Sequence, residues 1–317
     1  MKYKEFGLVN THDMLHSALA NGYAVGAFNF YNLETLHAIL AAARQMRSPL
    51  ILGVSESALS YMGAETLMGM IRGANITPNE QIALHLDHGH SFDTCARAID
   101  IGFSSVMIDA SHLPMQENIE LSKRVAEHAH KHGISVEAEL GILHGHEDEN
   151  TTASDSCFTH PDDVVQFVNQ TSVDSLAVAV GTSHGAYKRK SDDEELRFDI
   201  LAKIAQELPN FPLVLHGASS IPSSLLNTIN RFGGIITDAR GIPTVQLRRA
   251  VTMNICKINV DSDLRLAFTA GVREALAAHP EVFNPRDYLV AAMVAIQKTV
   301  SDEMINIMNC ANRIVSG

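Results

Sequence analysis

Short apolar, β-branched runs alternate along the chain with longer stretches whose apolar residues recur at helical spacing. The runs at 24–28, 50–54, 82–86, 105–108, 135–138, 175–180, 213–215 and 256–260 predict strands. Most are nearly continuous in apolar character, as expected of parallel strands covered on both faces. Between them, 33–46 and 115–132 carry the helical pattern, and the second ends at Gly133, a residue suited to the left-handed position after a helix. The segment 161–169 opens with Pro161 at a first helical position after His160. The stretches 264–278 and 288–310 read as closing helices. Eight strands with helices between them and no tandem hairpins predict an α/β fold, a single (β/α)8 TIM barrel over 1–317 with extra C-terminal helices. A doubly wound open sheet is the alternative. No linker divides the chain. The polar stretch KRKSDDEE at 188–195 reads as a solvated loop, and RFGGIITDARGIP at 231–243 lengthens the connection between the seventh and eighth predicted strands.

Composition narrows the partners. The 317 residues include 24 Lys and Arg against 36 Asp and Glu, a formal charge of −12. An acidic surface repels phosphate backbones, which argues against nucleic acid yet permits a locally basic pocket for a small phosphorylated ligand. No apolar run reaches the roughly 18 residues of a membrane span. The start, MKYKEFGLVN, has positive charge but no apolar stretch behind it, so no signal peptide is expected. Cys95, Cys157, Cys256 and Cys310 are widely spaced without a CxxC pair, the pattern of reduced thiols in a cytoplasmic protein. Histidine is the unusual count: 16 residues, several in Gly-rich segments.

In a barrel the C-terminal strand ends and the loops after them form the active face. Five predicted ends carry polar residues that a core would not select: His85-Leu86-Asp87-His88-Gly89-His90, Asp109, Glu137-Ala138-Glu139, Gly181-Thr182-Ser183-His184-Gly185 and His216-Gly217-Ala218-Ser219-Ser220. Any one alone reads as a satisfied buried polar group; all five at one rim read as a site. His88, His184 and His216 each adjoin a glycine. Neutral imidazoles suit Zn²⁺, and three protein ligands with open coordination positions make a catalytic centre. Asp109 and Glu139 either orient these imidazoles or hold the metal in a second position. Asp87 directly precedes His88, and neighbours at a strand end point in different directions. A carboxylate beside the metal but not bound to it can shuttle a proton; the blander role is a hydrogen-bond partner of a histidine. GILHGHEDEN at 141–150 reads as a mobile loop, with Glu147 either a base delivered on closure or one acid of a solvated loop. Gly185, Gly217, Ser219 and Ser262 offer N–H groups and hydroxyls where barrels often hold phosphate. Arg265 and Arg286 are candidates for a second phosphate, though each alone also reads as a surface salt bridge.

These motifs resemble the class II, metal-dependent ketose-bisphosphate aldolases. The matching segments are AFNFYN at 27–32, HLDHG at 85–89, MIDASH at 107–112, VEAELG at 136–141, GTSHGAYK at 181–188, LHGASS at 215–220 and KINVDSDLR at 257–265, in family order over nearly the whole chain. The resemblance implies His88, His184 and His216 as zinc ligands, Asp109 and Glu139 near the metal, Asp87 as catalytic acid/base and Glu147 as the loop base. It implies one catalytic Zn²⁺, a second metal position and an accompanying monovalent cation. Gly185, Gly217, Ser219, Asp261 and Ser262 match the end that holds the dihydroxyacetone phosphate moiety, and Asn29 and Asn259 match substrate-side asparagines. Ser55 and Lys188 join the substrate- and phosphate-binding set. Arg265 and Arg286 match contacts to the distal phosphate, where an arginine can come from a neighbouring subunit of a homodimer or homotetramer. The chain departs from the family pattern at Tyr31, Glu56, Asn284 and the His144-Gly145-His146 run.

The implied reaction is reversible cleavage of fructose 1,6-bisphosphate to dihydroxyacetone phosphate and glyceraldehyde 3-phosphate, with the tagatose epimer as the alternative substrate. Asp261 favours the fructose epimer, since tagatose-specific members tend to carry a small apolar residue there. A Schiff-base mechanism would need a lysine in the site, and Lys257 alone lies within a predicted strand. A barrel metal hydrolase would use a similar set, but its HxH pair usually lies on the first strand, and His88-Gly89-His90 lies on the third. A catalytically silent binding protein is disfavoured by the intact Asp87, three histidines and Glu147.

Overall fold

A computed structural model of the chain describes residues 1–147, 150–152, 158–187 and 194–314, with backbone alone at 144–147 and 150–152. Its strands are β1 (Val25–Asn29), β2 (Leu50–Ser55), β3 (Ile82–Gly89), β4 (Ser105–Ile108), β5 (Ser135–Leu140), β6 (His144–Glu147), β7 (Asn150–Thr152), β8 (Ser175–Val178), β9 (Ser183–His184), β10 (Leu213–Leu215) and β11 (Ile255–Val260). Eight of them close into a barrel in the order β1-β11-β10-β8-β5-β4-β3-β2, and each neighbouring pair is parallel. The continuous apolar runs have this cause: β1, β3 and β11 are buried at every position, between the barrel interior and the surrounding helices.

The helices are α1 (His12–Asn21), α2 (Leu33–Met46), α3 (Glu56–Met62), α4 (Ala64–Gly73), α5 (Phe92–Ile101), α6 (Met115–Lys131), α7 (Pro161–Thr171), α8 (Phe198–Glu207), α9 (Ser223–Arg231), α10 (Thr244–Val251), α11 (Ser262–Ala278) and α12 (Pro285–Asn306). Local chemistry starts several of them. The Asn32 side chain accepts from the Thr35 N–H at α2, and Ser91 accepts from the Thr94 N–H at α5. Asn284 caps α12 with Pro285 behind it, so this helix begins three residues before the apolar periodicity does. Helices α11 and α12 pack on each other, and α12 also covers α2. No helix among the described residues is long and apolar enough to cross a membrane. Cys95, Cys256 and Cys310 are buried free thiols; Cys157 lies outside the described residues.

Two segments differ from the sequence expectation. The third strand continues past residue 86 to Gly89, because β2 pairs with it as far as Ser55 opposite Asp87. The 141–150 stretch, read as a mobile loop, instead supplies strand β6. This strand pairs antiparallel with β7 and parallel with β9, forming a small sheet. Its polar sequence carries no apolar alternation, so backbone pairing with a distant segment decides it. The 231–243 insertion also acquires a role. The Ile242 N–H donates to the Ser219 carbonyl at 3.1 Å and the Arg240 N–H to the Ala186 carbonyl at 2.8 Å, which braces both loops.

Candidate metal centre and active site

The site begins with an irregularity in β3. Its pairing with β4 is in register through Leu86 and Val106, then shifts so that Gly89 faces Ile108. His88 sits in the shift with φ 50°, a left-handed conformation uncommon outside glycine. Regular alternation would send Asp87 and His88 to opposite faces; the bulge brings both side chains to one cluster with His216. Asp109, at the end of β4, and His216, at the end of β10, converge on His88. The His88 Nδ1–H donates to Asp109 Oδ2 at 2.9 Å, and His88 Nε2 lies 2.9 Å from His216 Nδ1. The Ser111 N–H and hydroxyl hold the other Asp109 oxygen at 3.1 and 2.7 Å. Burial opposes ionisation of Asp109, but these hydrogen bonds outweigh it and keep the carboxyl well below its ordinary range. Glu139 Oε2 lies 3.6 Å from His88 Nδ1. The His184 ring completes the group, 5.1 Å from the His88 ring and 6.4 Å from that of His216.

The hydrogen bonds fix the tautomers. Ionised carboxylates only accept, so His88 carries its proton on Nδ1 toward Asp109. The His216 Nε2–H donates to Glu137 Oε1 at 2.7 Å. With both rings neutral, the lone pairs of His88 Nε2 and His216 Nδ1 face each other across 2.9 Å. Burial first, and then His88 and Lys257, keep His216 below the usual histidine range, so it is a neutral donor. Two facing imidazole lone pairs, with carboxylates alongside, make a donor set that fits a divalent cation.

Beneath this centre lies a buried polar layer that sequence reasoning left unassigned. Lys257 on β11 donates to both Glu137 oxygens, at 3.0 and 2.8 Å, and to His85 Nε2 at 3.2 Å. The remaining His85 N–H reaches the Ser105 hydroxyl at 2.8 Å. Burial and then the Lys257 charge push His85 down to about 3, so it stays neutral. Glu137 is kept ionised despite its burial, chiefly by Lys257 and by the hydrogen bond from His216. The sequence signal was a titratable triplet, Glu137, Lys257 and His85, inside apolar strands. A lysine held by both oxygens of a buried carboxylate is a poor amine nucleophile.

Asp87 is gripped from two strands. The Asn29 Nδ2–H donates to its Oδ2 at 2.7 Å and the Asn259 Nδ2–H to its Oδ1 at 2.8 Å. Burial resists ionisation of Asp87, but the positive charge around it, the Lys257 ammonium included, outweighs the burial and holds the carboxyl low. The Oδ1 atoms of Asn29 and Asn259 are buried with no hydrogen-bond partner among the described residues, leaving two acceptors beside Asp87. Gly53 makes room for one of them, since a Cβ there would meet Asn29 Oδ1 at 2.6 Å.

The other expected residues divide. Gly217, with φ 60°, lies against β9: an added Cβ would stand 2.6 Å from the Ser183 carbonyl oxygen. This contact joins the 217–220 turn to the strand that carries His184. Ser219 is buried, Gly185 has φ 85°, and Ser262 opens α11. Asp261 is engaged by Arg265, whose Nε and Nη2 reach its two oxygens at 2.9 and 2.8 Å. The Ser55 hydroxyl accepts from the Ala58 N–H and caps α3. Arg286 stands exposed on the first turn of α12 and bonds Asn284 in the same turn. Glu147 has its backbone in β6, while its side chain and all of Lys188 lie outside the described residues.

The chain is similar to known proteins. A family model described as fructose-bisphosphate aldolase class-II matches residues 9–313. The fructose-bisphosphate aldolase of Treponema pallidum is 46% identical, covering 98% of this chain and 99% of that protein. That of Thermus caldophilus is 45% identical over 94% of this chain and 97% of its own. Among solved structures, the YdjI aldolase from Escherichia coli K12 superposes with a TM-score of 0.74 at 24% identity, covering 97% of this chain and 100% of that one.

Proposed function

The chain belongs to the class II fructose-bisphosphate aldolase family, and on that premise we propose that it cleaves fructose 1,6-bisphosphate reversibly to dihydroxyacetone phosphate and glyceraldehyde 3-phosphate, with Zn²⁺ as its resident metal. The observation that carries the reading is the pair of imidazole lone pairs, on His88 and His216, facing each other beside a carboxylate held by two asparagines. His88, His184 and His216 would hold the ion, with Asp109 and Glu139 beside it, and an imidazole set favours zinc over magnesium or calcium. When bound, the ion supplies Lewis-acid polarisation of the substrate carbonyl.

The chain's own residues supply the proton transfers and the binding. Ionised Asp87 takes the C4 hydroxyl proton as the C3–C4 bond breaks and returns it to the aldehyde oxygen in synthesis. Asn29 and Asn259 fix the carboxylate, and their spare carbonyl oxygens accept from substrate hydroxyls. Glu147 moves the C3 proton of dihydroxyacetone phosphate. Gly185, Gly217, Ser219 and Ser262, with Lys188, hold the phosphate of that product. Arg265, steered by Asp261, serves the distal phosphate, together with Arg286 from the neighbouring subunit of a homo-oligomer. Ser55 borders Asp87 across the β2–β3 register.

The test is removal of metal to a verified metal-free state, followed by retro-aldol assay and Zn²⁺ add-back. Activity should vanish and return; full activity without metal would sink the reading. Asp87→Ala should keep zinc and lose turnover, which separates the enzyme from a contaminating activity.

A further inference from the structure

Helix α12 carries a carboxyl that the proposed reaction does not use. Glu303 is 4% exposed, and neither of its oxygens receives a hydrogen bond among the described residues. It interacts electrostatically with Asp263 of α11, the helix packed against α12. Asp263 is equally buried but well supplied with donors. Its Oδ2 accepts from the Ser220 N–H at 2.7 Å and the Ser220 hydroxyl at 3.0 Å, and its Oδ1 accepts from the Ile221 N–H at 2.8 Å.

Three donors already occupy the Asp263 oxygens, whereas none reaches Glu303 among the described residues. Two carboxylates in one buried site do not both ionise, so the one without donors keeps its proton. Burial and then the Asp263 charge push Glu303 well above the usual carboxyl range. The other charged groups at this place are Asp302, one residue back on α12, and Lys298, which pairs with Asp302.

The turn that Asp263 holds needs holding. Ile221, a β-branched residue, has φ 51°, in the left-handed region that such residues avoid. On one side the insertion supports the turn, through the Ile242 N–H to the Ser219 carbonyl. Behind it, a cavity of about 260 Å³ is lined by Ser220, Thr244, Lys298, Asp302 and Glu303, so close packing does not back it there.

We infer that Glu303 is a positioning residue: as a neutral acid donating to Asp263, it struts the 219–221 turn against α12 and so holds the phosphate-binding face of that turn in place. The inference rests on the reading of Gly217 and Ser219 as phosphate-binding residues. It assigns to a closing helix a part in substrate affinity, transmitted through one proton.

The experiment compares Glu303→Gln, whose amide can still donate to Asp263, with Glu303→Leu, which cannot, in the metal-loaded enzyme. The readouts are KM for the bisphosphate, kcat, and the inhibition constant of inorganic phosphate. Glu303→Leu should raise KM and the phosphate inhibition constant by roughly tenfold with little change in kcat, the pattern of lost binding rather than lost chemistry. Glu303→Gln should stay near wild type. In the wild type, affinity should fall at alkaline pH as Glu303 loses its proton, because a raised acid contributes below its folded pKa and ceases to above it; that step should be missing in Glu303→Gln. Unchanged KM and phosphate inhibition in Glu303→Leu would overturn the inference, as would a Glu303→Gln variant that keeps the alkaline step. The pH comparison stands even if the leucine variant does not fold. Ser219→Ala reports separately on the premise: unaltered phosphate inhibition there would remove the phosphate turn itself, whereas a loss there with none in Glu303→Leu would remove only the strut.

Discussion

Replacing Lys257 with methionine probes the buried layer beneath the metal centre. Methionine keeps the unbranched stem and removes the charge. Lys257 and Glu137 are 0% and 2% exposed, and the ammonium donates to both carboxylate oxygens. Removing one partner strands the other as a buried charge, and the expected loss of stability is about 3–5 kcal/mol. A second change then separates two functions of Glu137. In Lys257→Met with Glu137→Gln, no charge remains and the amide oxygen still accepts from the His216 Nε2–H, so most of the stability should return. In Lys257→Met with Glu137→Met, the charge is also gone, but His216 has lost the acceptor now at 2.7 Å that sets its tautomer. Losing such an orienting partner lowers metal affinity by about 10–100-fold. Urea denaturation of the metal-free proteins measures the first quantity, and competition for Zn²⁺ against a chelating dye measures the second. The glutamine double variant should bind zinc close to the wild type, and the methionine double variant should not. Equal zinc affinity in the two doubles would refute the claim that Glu137 orients His216. Failure of both doubles to regain stability would refute the buried-charge argument.

Three further outcomes follow from the same structure. Asn259→Ala removes one of two donors to Asp87, so kcat should fall by roughly 10- to 100-fold with zinc content unchanged, as checked by coupled kinetics and metal analysis. At the opposite end of the barrel strands, Asp174 accepts from His130 and His12, each at 2.9 Å, and its hydrogen bond raises His130 above the usual histidine range. This contribution is present while His130 is protonated and is lost as pH rises through its raised pKa, so Asp174→Asn should shift the His130 titration downward in a histidine NMR experiment; an unmoved titration would contradict the assignment. Asp261→Ala removes the carboxylate that Arg265 engages. The wild type should prefer fructose over tagatose 1,6-bisphosphate in kcat/KM, and the variant should narrow that ratio; equal or better turnover of tagatose bisphosphate by the wild type would overturn the epimer assignment.

The barrel was legible along the chain because parallel strands buried on both faces need near-continuous apolar runs, and each of the eight predicted runs overlaps a barrel strand. The helix 33–46 matched to the residue, since Asn32 supplies a local cap at its start. The imidazoles of His88, His184 and His216, singled out at three predicted strand ends, lie close together in the structure. What the sequence alone could not express was contact between residues far apart. Glu137 and Lys257 are 120 positions apart, and each in isolation is an anomalous charge in an apolar strand; closure of the barrel alone makes them one pair. Asn29 and Asn259 became partners of Asp87 because β1, β3 and β11 bring their ends together. The common direction of Asp87 and His88 runs against strand periodicity and was decided by the β3–β4 register shift. Local patterns thus determined the elements and their order, because propensity and burial act over a few residues. Tertiary structure decided the tautomers, the ion pairs and the orientation of the donor atoms, because hydrogen bonds depend on distances that only the closed barrel sets.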